Sequence, residues 1–448
     1  MLPLASVAAG QERPTTAAVR PTDAGPALTA EQRAPHALAN AGMQWSDGEL
    51  WAAGATYKAR FDAHGPMIVP PLGKDAPRSL PLWLDLHSIA RGGALLLDAS
   101  APVAPVQQGL VAVYEHGAGI RERYEARVEG LEQSFVIDAL PAGAGDLVVR
   151  VGFTSELVAR ADGAGLFFDD GRGLGLRMGG VTGIDANGVQ CAGTVALANG
   201  AIELRLPASF VASAAFPLIV DPLVGGQVNV YSADDSADAD ASYDLSFNDH
   251  LVVFERQWSA TDVDVYGQRV SATGALVGTT ILFETTIANV AFDPAVGNCN
   301  ESNKWLCVWQ QDDGGDDNII GRGCNASDGT LGSAFTIAGT TANEIDPDVG
   351  GEEALGFDEV MVVWDGDGIR AARVTLPVSG GSSLATTHTI TTDVDDTAPK
   401  ITNSGGAPGR YVVAFERFFS TPAPGDNDVH VAVISYTGTI LDAAKPAG

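Results

Sequence analysis

Strongly apolar runs that end in an aromatic recur four times in the second half of the chain. They are Leu251-Val252-Val253-Phe254-Glu255, Trp305-Leu306-Cys307-Val308-Trp309-Gln310, Val360-Met361-Val362-Val363-Trp364-Asp365 and Tyr411-Val412-Val413-Ala414-Phe415-Glu416. The anchor aromatics Phe254, Trp309, Trp364 and Phe415 lie 55, 55 and 51 residues apart. Each run is followed by an acidic loop and a second β-branched segment, and most units then carry a Gly turn. Continuous apolar runs of this length, flanked by turn residues, predict strands buried on both faces. A period of this size built from short strands predicts propeller blades or a solenoid, because one unit cannot bury its own apolar faces.

Within each unit the pattern predicts a four-stranded meander with strands A to D. Strand B is the aromatic run. Strand C falls at Val263–Val270, Asn318–Gly323, Ile369–Val374 and Val429–Ile434. Strand D falls at Thr280–Phe283, Ala334–Ala338 and Thr387–Ile390, and one strand A falls at Asp293–Val296. The blades are expected near 233–285, 286–340, 341–392 and 393–448. The fourth unit is expected to lack strand D. Gln227–Ser232 resembles the other D strands and could supply it, closing a four-bladed ring over 227–448. The competing expectation is a larger propeller cut short.

The first half reads differently. Residues 1–42 are expected to hold an unstructured stretch, an export-signal remnant in the small residues up to Gly10, and a short helix over 27–42 limited by Pro35. From 43 to 222 short β-rich segments alternate with Gly, Pro, Asn and Asp clusters, which predicts an antiparallel sandwich-like module. Gly225-Gly226 marks the boundary. The fold class expected is therefore all-β: a β-sandwich-like module, then propeller blades.

Charge narrows the function classes. The chain has 26 basic and 56 acidic residues, a net charge of −30. Nucleic-acid binding needs a positive footprint and is disfavoured, as is an anionic membrane surface. Only five lysines occur: Lys58, Lys74, Lys304, Lys400 and Lys445. No apolar run is long enough for a transmembrane helix. An acidic chain of this kind suits solubility or the binding of multivalent cations.

The acidic loops between strands B and C carry the candidate chemistry. They hold Asp262 and Asp264; Asp312, Asp313, Asp316 and Asp317; Asp365 and Asp367; and Asp426 and Asp428. Asp-x-Asp spacing supplies the several oxygens that calcium wants. Asp264, Asp316 or Asp317, Asp367 and Asp428 are the foremost candidates. None of the loops fits the twelve-residue EF-hand. The alternative is that these aspartates shape hairpin turns through side-chain-to-backbone bonds. Glu255 and Glu416 could be glycosidase acids. Their recurrence at one repeat position favours a structural role across a blade edge. Trp305, Trp309 and Trp364 could stack on sugars, but strand positions favour a core role. HExxH, GxSxG and P-loop motifs are absent. Cys299 and Cys324 are expected at one end of a blade, where a disulfide is reasonable; Cys307 reads as a buried thiol.

Tyr124, Glu132-Gln133-Ser134-Phe135-Val136, Gly145–Val149 and Pro217–Pro222 together resemble the N-terminal module of large secreted bacterial proteins with SBBP-type repeats. Val253–Arg256 with Asp262–Val270, and Ala414–Arg417 with Asp426–His430, are similar to bacterial propeller repeats of the form LVVWE…DxDI. Gln310 and Asp365 depart from that form. The resemblance implies an exported surface or matrix protein, many such proteins having no known activity. The expected function is thus non-enzymatic attachment to a protein or polysaccharide, with a secreted glycoside hydrolase or other hydrolase as the alternative.

Overall fold

The computed structural model describes residues 41–446 except 129, 162–164, 227–235, 288, 313, 354–356, 405–408 and 420–425. The helix expected over 27–42 and the closing strand expected at 227–232 lie outside or almost outside these residues. What is described is all-β, with one short helix at Ala208–Val211. No helix among the described residues is long and apolar enough to cross a membrane.

Residues 42–226 form two nine-stranded antiparallel sheets. One runs in the order Gly42–Ser46, Glu49–Gly54, Tyr57–Asp62, Gly65–Val69, Leu82–Arg91, Leu147–Ser155, Ala201–Leu206, Thr194–Ala198. The other centres on Gly175–Ile184, Leu218–Gly226 and Leu131–Ile137. Alternate residues of both point into one core: Leu84, Val149 and Leu204 from the first sheet meet Tyr124, Phe135 and Val220 from the second. That is the period-two burial expected of packed sheets.

The repeat region contains four meanders. Their strands A are Ser236–Asp244, Val290–Cys299, Ile345–Gly350 and Asp396–Ile401. Strands B are Asp249–Ser259, Lys304–Asp312, Glu359–Asp365 and Arg410–Phe419, and each pairs antiparallel with its own A and C. A single parallel bridge, Val263 to Val290, joins the first two meanders into one eight-stranded sheet. The fourth unit has its own strand D, Ile440–Pro446, paired with Asp426–Ser435. The expectation of a missing strand is corrected there. Its few apolar residues hide it from a pattern search.

Neighbouring meanders, termed blades below, share the apolar runs face by face. In the second blade's strand B, Trp305, Cys307 and Trp309 face the first blade's Leu251 and Val253. The intervening Leu306 and Val308 face the third blade's Val360 and Val362. Met361 and Val363 in turn face Tyr411, Val413 and Phe415. The first blade's outer face, with Phe254, Trp258 and Tyr266, is covered by Trp51, Met67 and Val69 of the N-terminal module. The fourth blade is covered on one face only, so its strand B alternates: Val413 is fully buried while Val412 is 39% exposed. Strands A contact one another in chain order. Among the described residues no core cluster joins the fourth blade to the first, whose outer face the N-terminal module covers, so a closed ring is not formed by them.

All four cysteines are free thiols, which overturns the expected Cys299–Cys324 bond. Register explains it. Cys299 lies opposite Lys304, and Cys324 lies opposite Trp305. Lys304 and Trp305 are adjacent and point to opposite sheet faces. Cys299 therefore packs toward the third blade and Cys324 toward the first. Cys307 is fully buried, as its strand position predicts.

Candidate functional site

A cavity of about 560 Å³ opens where three parts of the chain meet. The hairpin after Gly42–Ser46 contributes Trp45 and Asp47, the second blade contributes Lys304, Arg322 and Asn325, and the third blade's C–D loop contributes Gly380 to Ser382. Its volume is in the range of small-molecule sites. Hairpin geometry explains the first wall: Asp47 and Gly48 both hold positive φ, as a two-residue turn requires. That turn leaves Trp45 49% exposed beside the opening.

The two cations reach the cavity from opposite faces of the second blade's sheet. Arg322 lies opposite Cys307, whereas Lys304 lies opposite Asn325. Arg322 is almost fully buried; its Nε donates to Gly332 O at 2.7 Å and its Nη1 to Ser46 Oγ and Phe283 O, both at 2.9 Å. Burial pulls its pKa below the ordinary value, with Asp47 and then Glu284 opposing that shift. Lys304 Nζ donates to Pro377 O at 2.6 Å and Gly380 O at 3.1 Å, which fixes the loop that forms the far wall. Glycine at position 323 matters to this wall, because a Cβ there would stand 2.2 Å from Ser382 Oγ.

A second feature lies along strands A. Each of them carries a bulge with one residue in the left-handed region: Asp238 (φ 42°), Asp293 (49°), Asp346 (51°) and Ala398 (50°). Aspartate tolerates that conformation, and a bulge re-aims its side chain. Proline follows in three of the four, where its missing donor costs no ladder bond. The end of strand B then reaches the next blade. Glu255 Oε2 accepts from the Asp293 N–H, and Gln310 Oε1 accepts from the Asp346 N–H, each at 3.4 Å. This repeated staple agrees with a structural role across the blade edge.

At the first of these junctions Asp238, Glu255 and Asp293 bring carboxylate oxygens within 4.8 Å of one another. Glu255 is pushed up to about 6 by burial, with the Asp238 carboxylate next in weight. Asp293 is raised by burial and by Asp238 and Asp346, against the pull of Lys400. Asp365 is likewise pushed up to about 6, by burial and then Asp346, Asp367 and Asp396. Such a row can take up a hard cation or hold a proton near neutrality.

The aspartates of the B–C loops are dispersed instead. Asp262 and Asp264 are fully buried around the Lys58 ammonium of the N-terminal module, at 2.6 and 2.8 Å. Asp316 and Asp317 sit in the second blade's B–C hairpin, where Asp312 accepts from the Gly314 N–H. Asp365 and Asp367 flank the third blade's hairpin, with Asp367 in the left-handed region. Asp426 and Asp428 are exposed at the start of the fourth strand C, and Asp313 lies outside the described residues. Among the described residues the three-carboxylate group contains none of these loop aspartates. The Asp293-Pro294 and Asp346-Pro347 pairs in strands A were the sequence signal for the row. Nothing local pointed to Lys58 or Trp45. Trp305, Trp309 and Trp364 are buried between blades.

No family model matches the chain, and no curated protein matches it. Solved structures do. The catalytic domain of a Coprinopsis cinerea GH62 α-L-arabinofuranosidase is 11% identical, with 48% of this chain and 70% of that one covered at a TM-score of 0.31. An α-L-arabinofuranosidase from Lactobacillus brevis is 12% identical, with 75% and 94% covered at 0.33. A Hadza microbial sialidase is 8% identical, with 54% and 59% covered at 0.30.

Proposed function

We propose that the protein is a non-enzymatic, exported attachment protein that holds a polysaccharide in the cavity beside Trp45. The observation that carries this reading is the half-exposed Trp45 ring at the edge of a cavity whose lining includes several glycines and the short polar side chains of Asn325, Ser333 and Ser382. A large ring left in water forgoes apolar burial, and a sugar's C–H face restores it by stacking. Asn325, Ser333 and Ser382 offer an amide and hydroxyls to the sugar's own hydroxyls. Calcium belongs to the same proposal as a structural counter-ion for the strand-A carboxylates, not as a reactant.

The second reading is a glycoside hydrolase. Glu255 favours it, since a carboxyl group pushed up to about 6 beside a second carboxylate is the arrangement of a glycosidic general acid. One panel separates the two. The full chain is assayed for retention on insoluble polysaccharides and for release of reducing ends. Retention that Trp45→Ala abolishes, without turnover, supports attachment. Turnover that Glu255→Gln abolishes replaces it with the hydrolase.

A further inference from the structure

We propose that the sugar this cavity takes is anionic: a saccharide bearing carboxylate or sulfate groups. The inference rests on the polysaccharide reading and adds the charge of the ligand. It comes from a mismatch between the cavity and the rest of the chain. The protein carries −30, yet two of its 26 basic residues line this one cavity, each at most 8% exposed.

Among the described residues neither cation has a buried carboxylate within ion-pair distance. Lys304 donates to two backbone carbonyls, and no described carboxylate lies within 4.0 Å of its ammonium. Arg322 has Asp47 at 3.6 Å from Nη1, but that carboxylate is 61% exposed and such pairs are worth little. Glu284 acts on Arg322 from the side of an adjoining cavity. Contrast Lys58, whose ammonium lies between two fully buried aspartates. Desolvating a cation without an anion is costly, so an anionic ligand gains what the protein leaves unpaired. The Arg322 guanidinium spends Nε and Nη1 on protein acceptors and donates from Nη2 to no described group. A planar donor of this kind suits carboxylate and sulfate oxygens. Trp45 supplies the apolar face that a sugar ring needs and an acidic peptide does not.

Asp47 makes the proposal sharp, because it opposes an anion and sits in an exposed turn. Its left-handed φ of 51° suits Asn as well as Asp. The test is calorimetric titration of the full chain with oligogalacturonate, a heparin-derived oligosaccharide, a neutral cello-oligosaccharide and an oligoglutamate. At least one anionic sugar should bind about tenfold or more tightly than the neutral one. That binding should weaken severalfold between about 50 and about 300 mM salt as the charges are screened. Asp47→Asn should tighten it, Trp45→Ala should weaken it, and Lys304→Arg should retain more of it than Lys304→Met. Unchanged melting temperatures show that the variants fold; should Lys304→Met not fold, Asp47→Asn decides. Galacturonate against heparin tells carboxylate from sulfate.

Equal binding of the neutral and anionic sugars overturns the charge assignment and leaves the polysaccharide reading standing. Oligoglutamate binding as tightly as the sugars overturns both, as does binding of none of the four.

Discussion

Replacing Lys58 by Met removes the cation from the most deeply buried charge cluster among the described residues. Lys58 Nζ donates to Asp262 Oδ1 at 2.6 Å and to Asp264 Oδ1 and Oδ2 at 2.8 and 3.0 Å, and all three side chains are fully buried. The Trp258 ring centroid lies 5.3 Å away, and the Tyr266 hydroxyl donates to Asp264 at 2.8 Å. Met fills similar volume, so the loss is electrostatic. Removing one partner of a buried pair costs about 3–5 kcal/mol, because the remaining charge is left uncompensated. Two carboxylates remain here, which puts the expected loss at the upper end of that range. The pH dependence has a definite sign. Burial opposes the charge on Lys58, and Asp262 and Asp264 outweigh that effect, so its pKa is raised above 10.5. Its contribution is therefore fully present below the unfolded pKa and is lost only as pH rises through the higher folded value. Wild-type stability should owe no slope to this group between about pH 5 and about pH 8. Burial already pushes the Asp264 carboxyl well above the ordinary range against the pull of Lys58, and Lys58→Met removes that pull, so stability of the variant should fall as pH rises. Urea denaturation followed by tryptophan fluorescence measures both effects, since Trp258 reports on this junction. Lys58→Met with Asp262→Asn and Asp264→Asn should recover part of the loss. A single-variant loss below about 1 kcal/mol would refute the reasoning, because it would place the cluster in the range of surface pairs.

The strand-A carboxylates and their neighbours make a second pH prediction. Glu255 and Asp365, both about 6, lie above their unfolded values, so their contribution is favourable at low pH and is lost as pH rises through about 6. Without divalent ions the melting temperature should fall across that window, and Glu255→Gln should flatten the fall. Millimolar calcium should restore stability above it; equal melting with calcium and with chelator, at matched ionic strength, removes calcium from the proposal. Mass spectrometry of the alkylated, unreduced, denatured chain should find four modified thiols; a species with two of them unmodified would restore the disulfide. Val413→Ala should cost about 2 kcal/mol and Val412→Ala under about 0.5 kcal/mol, because only the first faces the third blade. Equal denaturation midpoints for the two would contradict the one-sided cover of the fourth blade.

By itself the sequence determined the all-β class, the four-unit repeat and the core of strands B and C. A strand buried on both faces writes a continuous apolar run, and four such runs at a near-constant spacing are legible without a structure. Strand D of the fourth blade was not legible, because Ile440-Leu441-Asp442 is a short run on the edge of its sheet. Side-chain facing decided the cysteines: Cys299 and Cys324 share one end of a blade, but pairing register sends them to opposite faces. Tertiary packing decided the chemistry. Lys58 meets Asp262 across 204 residues, and Arg322 meets Ser46 across 276. Asp238 and Asp293 converge with Glu255 only because consecutive strands A stand side by side with a bulge in each. Periodicity along a chain records which positions are buried; the charge or aromatic ring that meets them comes from another segment, and only the packed fold brings it there.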